Sequence, residues 1–209
     1  MSEPNSAAIK ISAVRSRTHH ITVAAMLSAV AFALMFIEIP IPALIPAFVK
    51  LDISDLPELL AAFSLGPVYG VVVALMKNLL IILIKGSSSA NVGELCNFVL
   101  GAVFSLVAGI LYRRKKSRKS ALIGSIIGAA LMALISVPLN YFVVYPAYVA
   151  CYGMSMDVIV GMYQAILPNS DSLIKSLAIF NLPFTFVKGM IDVALCFLIY
   201  KPLSPILHR

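Results

Sequence analysis

Charged residues are scarce in this sequence. Asp, Glu, Lys and Arg make up 12% of its 209 residues, against roughly 25% in an ordinary soluble domain. A chain that is 61% hydrophobic with mean hydropathy +0.99 cannot cover its surface with charge, so its solvent is mostly lipid. Its length fits one membrane domain and leaves no room for a second soluble domain of ordinary size. Cysteine is also sparse. Cys96, Cys151 and Cys196 are far apart, odd in number and without metal-ligand spacing, which excludes a disulfide framework and leaves them as small apolar packing residues. The histidines are three, His19, His20 and His208, all near ends that the topology below places in the cytoplasm, which excludes imidazole chemistry within the membrane. No G-x-x-x-x-G-K-[ST] pattern is present, so the chain does not itself hydrolyse ATP. There is no H-E-x-x-H, no Cys/His cluster and no nucleophile–base pair, so the sequence does not read as an enzyme and expects no metal or cofactor.

What is there is long apolar runs. A spanning helix needs about 20 mainly apolar residues. The pattern predicts an all-α integral membrane protein, a compact bundle of six transmembrane helices near 20–39, 54–66, 67–85, 94–112, 120–145 and 174–200. Residues 1–19 and 202–209 are then tails flanking a membrane domain over 20–201. The first run starts late, is longer than a signal-peptide core and runs into Pro40 and Pro42 without a small-x-small cleavage site, so it reads as a retained helix. The second is short, begins with Asp52, Asp55 and Glu58, and fits a tilted or partly interfacial helix. Net charge is +7, and six basic residues crowd into 113–119. Lys10, Arg15 and Arg17 precede the first run. Basic residues distributed this way mark cytoplasmic loops rather than a nucleic-acid surface, and they can touch anionic lipid. With six spans and both termini inside, 113–119 is cytoplasmic. Dropping the short second helix would put it outside.

The outer segments are 40–53, 86–93 and 146–173. The first is apolar and studded with proline. It reads equally as a lid, with Pro42, Leu44, Pro46 and Phe48 over a flat ligand, or as an interfacial connector. Segment 86–93 is a turn with a helix cap before Glu94, and 146–173 is long enough to hold a short surface helix. No fixed-period repeat is visible.

Polar residues in spans are expensive, and each requires a partner or a job. Asn181, Thr185, Lys188 and Asp192 fall at i, i+4, i+7 and i+11 of the last helix, on one face. Lys188 needs a carboxylate, and Asp192, one turn on, is the nearest in sequence. The fifth helix offers Ser136 and Asn140 around Pro138, the fourth Glu94 and Asn97, and the third Lys77 and Asn78. Asn140, Asn181, Glu94 and Asn97 lie in the outer half of the bundle. Phe48, Phe98, Tyr141, Phe142, Phe180 and Phe184 are candidate flat walls. Buried polar groups also tie helices together, each worth about 1 kcal/mol, and for any single residue that reading has equal weight. Ala25, Ala29 and Ala33 recur every four residues, a spacing that allows close helix approach, whereas Gly66-x-x-x-Gly70 and Gly124-x-x-x-Gly128 read as internal packing.

Lys50-Leu51-Asp52-Ile53-Ser54-Asp55-Leu56-Pro57, Leu65-Gly66-Pro67 and Met76-Lys77-Asn78-Leu79-Leu80 resemble the substrate-binding S components of energy-coupling factor (ECF) transporters. Gly93-Glu94-Leu95-Cys96-Asn97-Phe98, Leu139-Asn140-Tyr141-Phe142 and the stretch from Asn181 to Gly189 are similar to the riboflavin-specific members. The resemblance covers residues 20–200. It implies six helices in the bacterial cytoplasmic membrane and an outer pocket for riboflavin, with FMN as a further candidate ligand. The loop after the first helix would close that pocket. It also implies coupling to a transmembrane subunit and two ATPases. The family's pocket positions map onto Asn140, Thr185 and Lys188, with Thr185 where relatives can carry asparagine. Its docking alanines map onto Ala25, Ala29 and Ala33, while Ala24 and Ala31 leave the register open. S components for folate, thiamine or pyridoxine, and a secondary transporter working alone, are the rival readings.

Overall fold

The computed structural model describes residues 6–46, 49–87, 91–170 and 172–207. Phe48 and His208 lie outside the described residues. Among those described, four helical stretches are long and apolar enough to cross a membrane: Pro67–Ile84, Val92–Arg114, Arg118–Tyr152 and Leu173–Leu203.

Helix α1, Ser6–Leu34, begins earlier and ends earlier than its apolar run. After Leu34 the chain turns, with the amides of Met35, Phe36 and Ile37 bonded back to Ala31, Ala33 and Leu34. It then forms a small antiparallel pair, β1 (Ile39–Pro40) with β2 (Lys50–Leu51). Lys50 Nζ lies 2.5 Å from Glu38 Oε2 across that pair. Two-residue strands are all that the proline-rich loop permits, because proline donates nothing to a ladder. The face of α1 is decided by burial. Ala24 and Ala31 are buried, while Ala25, Ala29 and Ala33 are exposed along one stripe, beside exposed Met26 and Val30.

Helix α2, Leu56–Ser64, departs most from expectation. Nine residues span about 14 Å at about 1.5 Å per residue, roughly half the hydrocarbon thickness. It does not lie on the surface of the bundle, since residues 56–63 are all buried. It sits inside the bundle, packed by α1, by α3 (Pro67–Ile84), by α4 (Val92–Arg114) and by α9 (Leu182–Leu207). Gly66 takes φ 120°, a conformation closed to ordinary L-residues. Pro67 opens α3 with its φ already set, so the chain reverses with almost no loop.

Glycines hold the other helices close. A Cβ at Gly128 of α5 (Arg118–Leu139) would lie 2.8 Å from the Phe104 carbonyl, and one at Gly70 would lie 2.8 Å from Ser105 Cβ. Gly124 likewise sits against the Ala108 carbonyl, so the Gly124–Gly128 pair is internal packing, whereas in the other pair only Gly70 packs closely and Gly66 serves the turn. Within α5, Pro138 cannot donate its helical bond, and the strain is taken up by a π turn over Asn140–Val144. Helix α6, Tyr145–Tyr152, continues the same span seven residues beyond the expected end, until Gly153 at φ 63° stops it. The surface helix expected in 146–173 is α7, Met156–Gln164. The short α8 (Leu173–Ser176) runs through a second π turn, Leu177–Asn181, into α9. One apolar core joins α1, α2, α3, α4, α5 and α9. A second, at the opposite end from the α4–α5 turn, packs Ile45 on Tyr145, Ile159, Tyr163 and Leu177.

Candidate ligand-binding site

A cavity of about 540 Å³ opens at the end of the bundle that carries the β1–β2 pair, within the size range of small-molecule sites. Asn140, Asn181, Thr185, Lys188, Glu94 and Asn97 all line it. Two π turns set its polar wall, since Asn140 opens one and Asn181 closes the other. Such turns widen a helix locally and aim side chains off the regular stripe.

Several of these polar groups are held from behind. Asn140 donates to the Ser136 carbonyl at 2.7 Å. Asn181 Oδ1 accepts from the Tyr163 hydroxyl at 2.6 Å, and that hydroxyl meets Tyr145 at 2.5 Å. Burial pushes the Tyr163 hydroxyl up to about 12, so it keeps its proton at neutral pH. Glu94 accepts from Ser87 at 2.7 Å, and Asn97 makes only a long contact, 3.8 Å, to the Met35 sulfur.

Lys188 does not pair with Asp192. Its ammonium lies 3.0 Å from Asp52 and 3.2 Å from Asp55. A helical side chain leans towards the N-terminus of its helix, so the long lysine reaches outward, away from a residue one turn further in. Asp192 is fully buried below the cavity, and its oxygens have no hydrogen-bond partner among the described residues. Behind Lys188 the charges continue. Asp52 Oδ1 accepts from the Ser54 amide at 2.9 Å and from its hydroxyl at 2.5 Å. Lys77, fully buried, reaches Ser54 at 2.8 Å, Asp55 at 2.5 Å and Glu58 at 2.7 Å. Gly101 makes room for the Glu58 carboxylate, which lies where its Cβ would be.

The lid and the walls also differ from expectation. Pro42 and Leu44 are exposed, Pro46 is buried, and none of the three lines the cavity; Val49 and Lys50 do. The loop is anchored by Ile45, which is fully buried. Among the expected aromatic walls that lie in the described residues, Phe184 alone faces the cavity; Tyr148 and Tyr152 supply the others, with Met35 and Met154. Tyr141 and Phe142 line a separate surface hollow, Phe180 stacks on Tyr163, and Phe98 is not among the lining residues.

Residues 19–203 match the family described as "ECF transporter, substrate-specific component". The chain belongs to that family. It is 41% identical over 184 residues to the riboflavin transporter RibU of Staphylococcus aureus, covering 88% of this chain and 89% of that one. It is 33% identical over 187 residues to the riboflavin transporter FmnP of Bacillus subtilis, covering 88% and 92%. A solved structure described as "Structure and mechanism of the S component of a bacterial ECF transporter" superposes with TM-score 0.71 at 37% identity, over 92% of this chain and 99% of that one. This ECF substrate-specific component is thus a multi-pass membrane transport protein and not an enzyme.

Sequence reasoning missed Asp52 and Asp55 as site residues, and Tyr148 and Tyr152 as walls. The first two carried a signal. A buried lysine demands a carboxylate, and a pair three residues apart at a helix start offers both on one side.

Proposed function

We propose that this chain is the riboflavin-capturing S component of an ECF-type importer of the bacterial cytoplasmic membrane. It takes the vitamin from outside and delivers it inward when coupled to the transmembrane subunit and two ATPases. The observation that carries this is the convergence of Asn140, Asn181, Thr185 and Lys188 on one outer cavity walled by Phe184, Tyr148 and Tyr152, in a chain 41% identical to a riboflavin transporter. A flat ring system with polar edges fits a site with flat walls and amide, hydroxyl and ammonium groups at one side. In this reading the bundle has six helices with α2 counted, both termini are cytoplasmic, and the β1–β2 loop closes the outer mouth.

Purified protein is expected to bind riboflavin at one to one and to quench its fluorescence by stacking, with FMN as the next candidate. Titration against folate, thiamine and pyridoxine decides among vitamins. No quenching at micromolar riboflavin, or tighter binding of another vitamin, removes the assignment.

The exposed Ala25, Ala29 and Ala33 stripe is the proposed docking face for the transmembrane subunit, because small residues let helix backbones approach closely. Ala29→Leu is expected to leave riboflavin binding within about twofold, since the stripe points away from the cavity. Co-purification with the transmembrane subunit and ATP-driven uptake in vesicles should both collapse. Uptake by the wild-type chain alone would restore the secondary-transporter reading.

A further inference from the structure

A second large cavity, about 630 Å³, lies at the opposite end of the bundle, between the C-terminal end of α4, the start of α5 and the last turns of α9. Its inner wall is apolar, with buried Phe63 and Ala121. Its rim is basic, with Lys116, Arg118 and Lys201 all exposed. One side opens onto the lipid-facing surface at Leu198, which is 74% exposed.

Among the described residues, no carboxylate pairs with these three cations. The ion pairs among the described residues join Lys50, Lys77, Lys85 and Lys188 to Glu38, Asp52, Asp55 and Glu58. No carboxylate side chain occurs between Glu94 and Asp157, or after Asp192. Arg113, Arg114, Lys115 and Lys119 crowd the same turn. Mutual repulsion there would be relieved by an external anion. The start of α5 adds to the field through its helix dipole, although the Ser120 amide is capped by the Ser117 hydroxyl.

We propose that this cavity is a binding site for the anionic headgroup of a membrane phospholipid, with its phosphodiester between Lys116, Arg118 and Lys201 and an acyl chain leaving along Leu198. The combination selects lipid over an acidic protein segment, because a cavity that is basic at the rim and open to the bilayer beside a leucine matches both halves of a lipid. None of the stripe residues Ala25, Ala29 and Ala33 lines it.

The test uses the full chain in detergent with native mass spectrometry and a titration of fluorescent phosphatidylglycerol. Phosphatidylglycerol is expected to be retained at one per chain in preference to phosphatidylcholine. The triple variant Lys116→Ala, Arg118→Ala, Lys201→Ala should bind it at least tenfold more weakly, since each basic residue near an anionic lipid surface contributes measurably. A control triple, Arg114→Ala, Lys115→Ala, Lys119→Ala, removes the same charge outside the cavity and should lose less than threefold. Equal loss in both triples would mean general surface charge and overturn the site. Displacement of the lipid by millimolar inorganic phosphate would identify a small-anion site instead. Unchanged lipid binding with lost capture of the transmembrane subunit would assign the cavity to protein docking and overturn the proposal. Thermal melting and riboflavin titration on the same samples report folding and the outer site, so a failure here is separable from a failure of the vitamin assignment.

Discussion

Lys77→Met is expected to destabilise the bundle more than any surface change, by about 3–5 kcal/mol, the usual consequence of removing one partner from a buried ion pair. Lys77 is fully buried and bridges Asp55 on one side and Glu58 on the other, with Ser54 as a third acceptor. Methionine fills a similar volume but leaves Glu58 without its cation and Asp55 with Lys188 alone. Thermal unfolding in detergent should show a large fall in melting temperature. Adding Asp55→Asn and Glu58→Gln should recover part of it, because the uncompensated charge is then gone. Lys85→Met is the comparison. Lys85 is 41% exposed and 3.4 Å from Glu38, and exposed pairs contribute about 0–1 kcal/mol. An unchanged melt for Lys77→Met would mean that the α2 charge cluster is not what holds that helix in place.

Riboflavin affinity is expected to fall in Asn140→Leu and Lys188→Met. Leaving one polar ligand atom unpaired costs about 1–3 kcal/mol, or roughly 5- to 150-fold in affinity. The two variants probe different things. Asn140 sits in the π turn and donates to Ser136, so its loss removes a neutral contact and leaves the charge network intact. Lys188 also neutralises Asp52 and Asp55, so Lys188→Met should in addition lower the melting temperature. Arg113→Ala, at the far end of the bundle, should leave affinity unchanged. If both cavity variants bind riboflavin normally in well-folded protein, these residues tie helices together and the ligand sits elsewhere.

Much of this was legible in the sequence because lipid imposes a simple rule. Segments without charge must cross, and segments rich in Lys and Arg must stay on one side. That rule located the runs that became α3, α4, α5 and α9, and it required a helix after Asp55. The stripe Asn181, Thr185, Lys188 was readable too, because 3.6-residue periodicity places those positions on one face whatever packs against them. Gly70, Gly124 and Gly128 turned out to be internal packing for the same reason, since a local pattern fixes which side chains are small, while Gly66 serves the turn before α3.

Tertiary structure decided what periodicity leaves open. Ala24 and Ala31 compete with Ala25, Ala29 and Ala33 at nearly the same spacing, and only the packing of α1 on α2 and α3 exposes the second set. Burial of α2 on all sides follows from the helices around it, not from its own composition. Lys188 finds its carboxylate 136 residues away in sequence, since side-chain direction and the fold together bring Asp52 closer than Asp192. The cavity walls shifted in the same way: the π turn after Pro138 and the extension through α6 bring Tyr148 and Tyr152 to the site and leave Tyr141 and Phe142 outside it. The sequence by itself determined which residues must avoid lipid. Which of them meet is set by long-range contacts, and those exist only once the chain is folded.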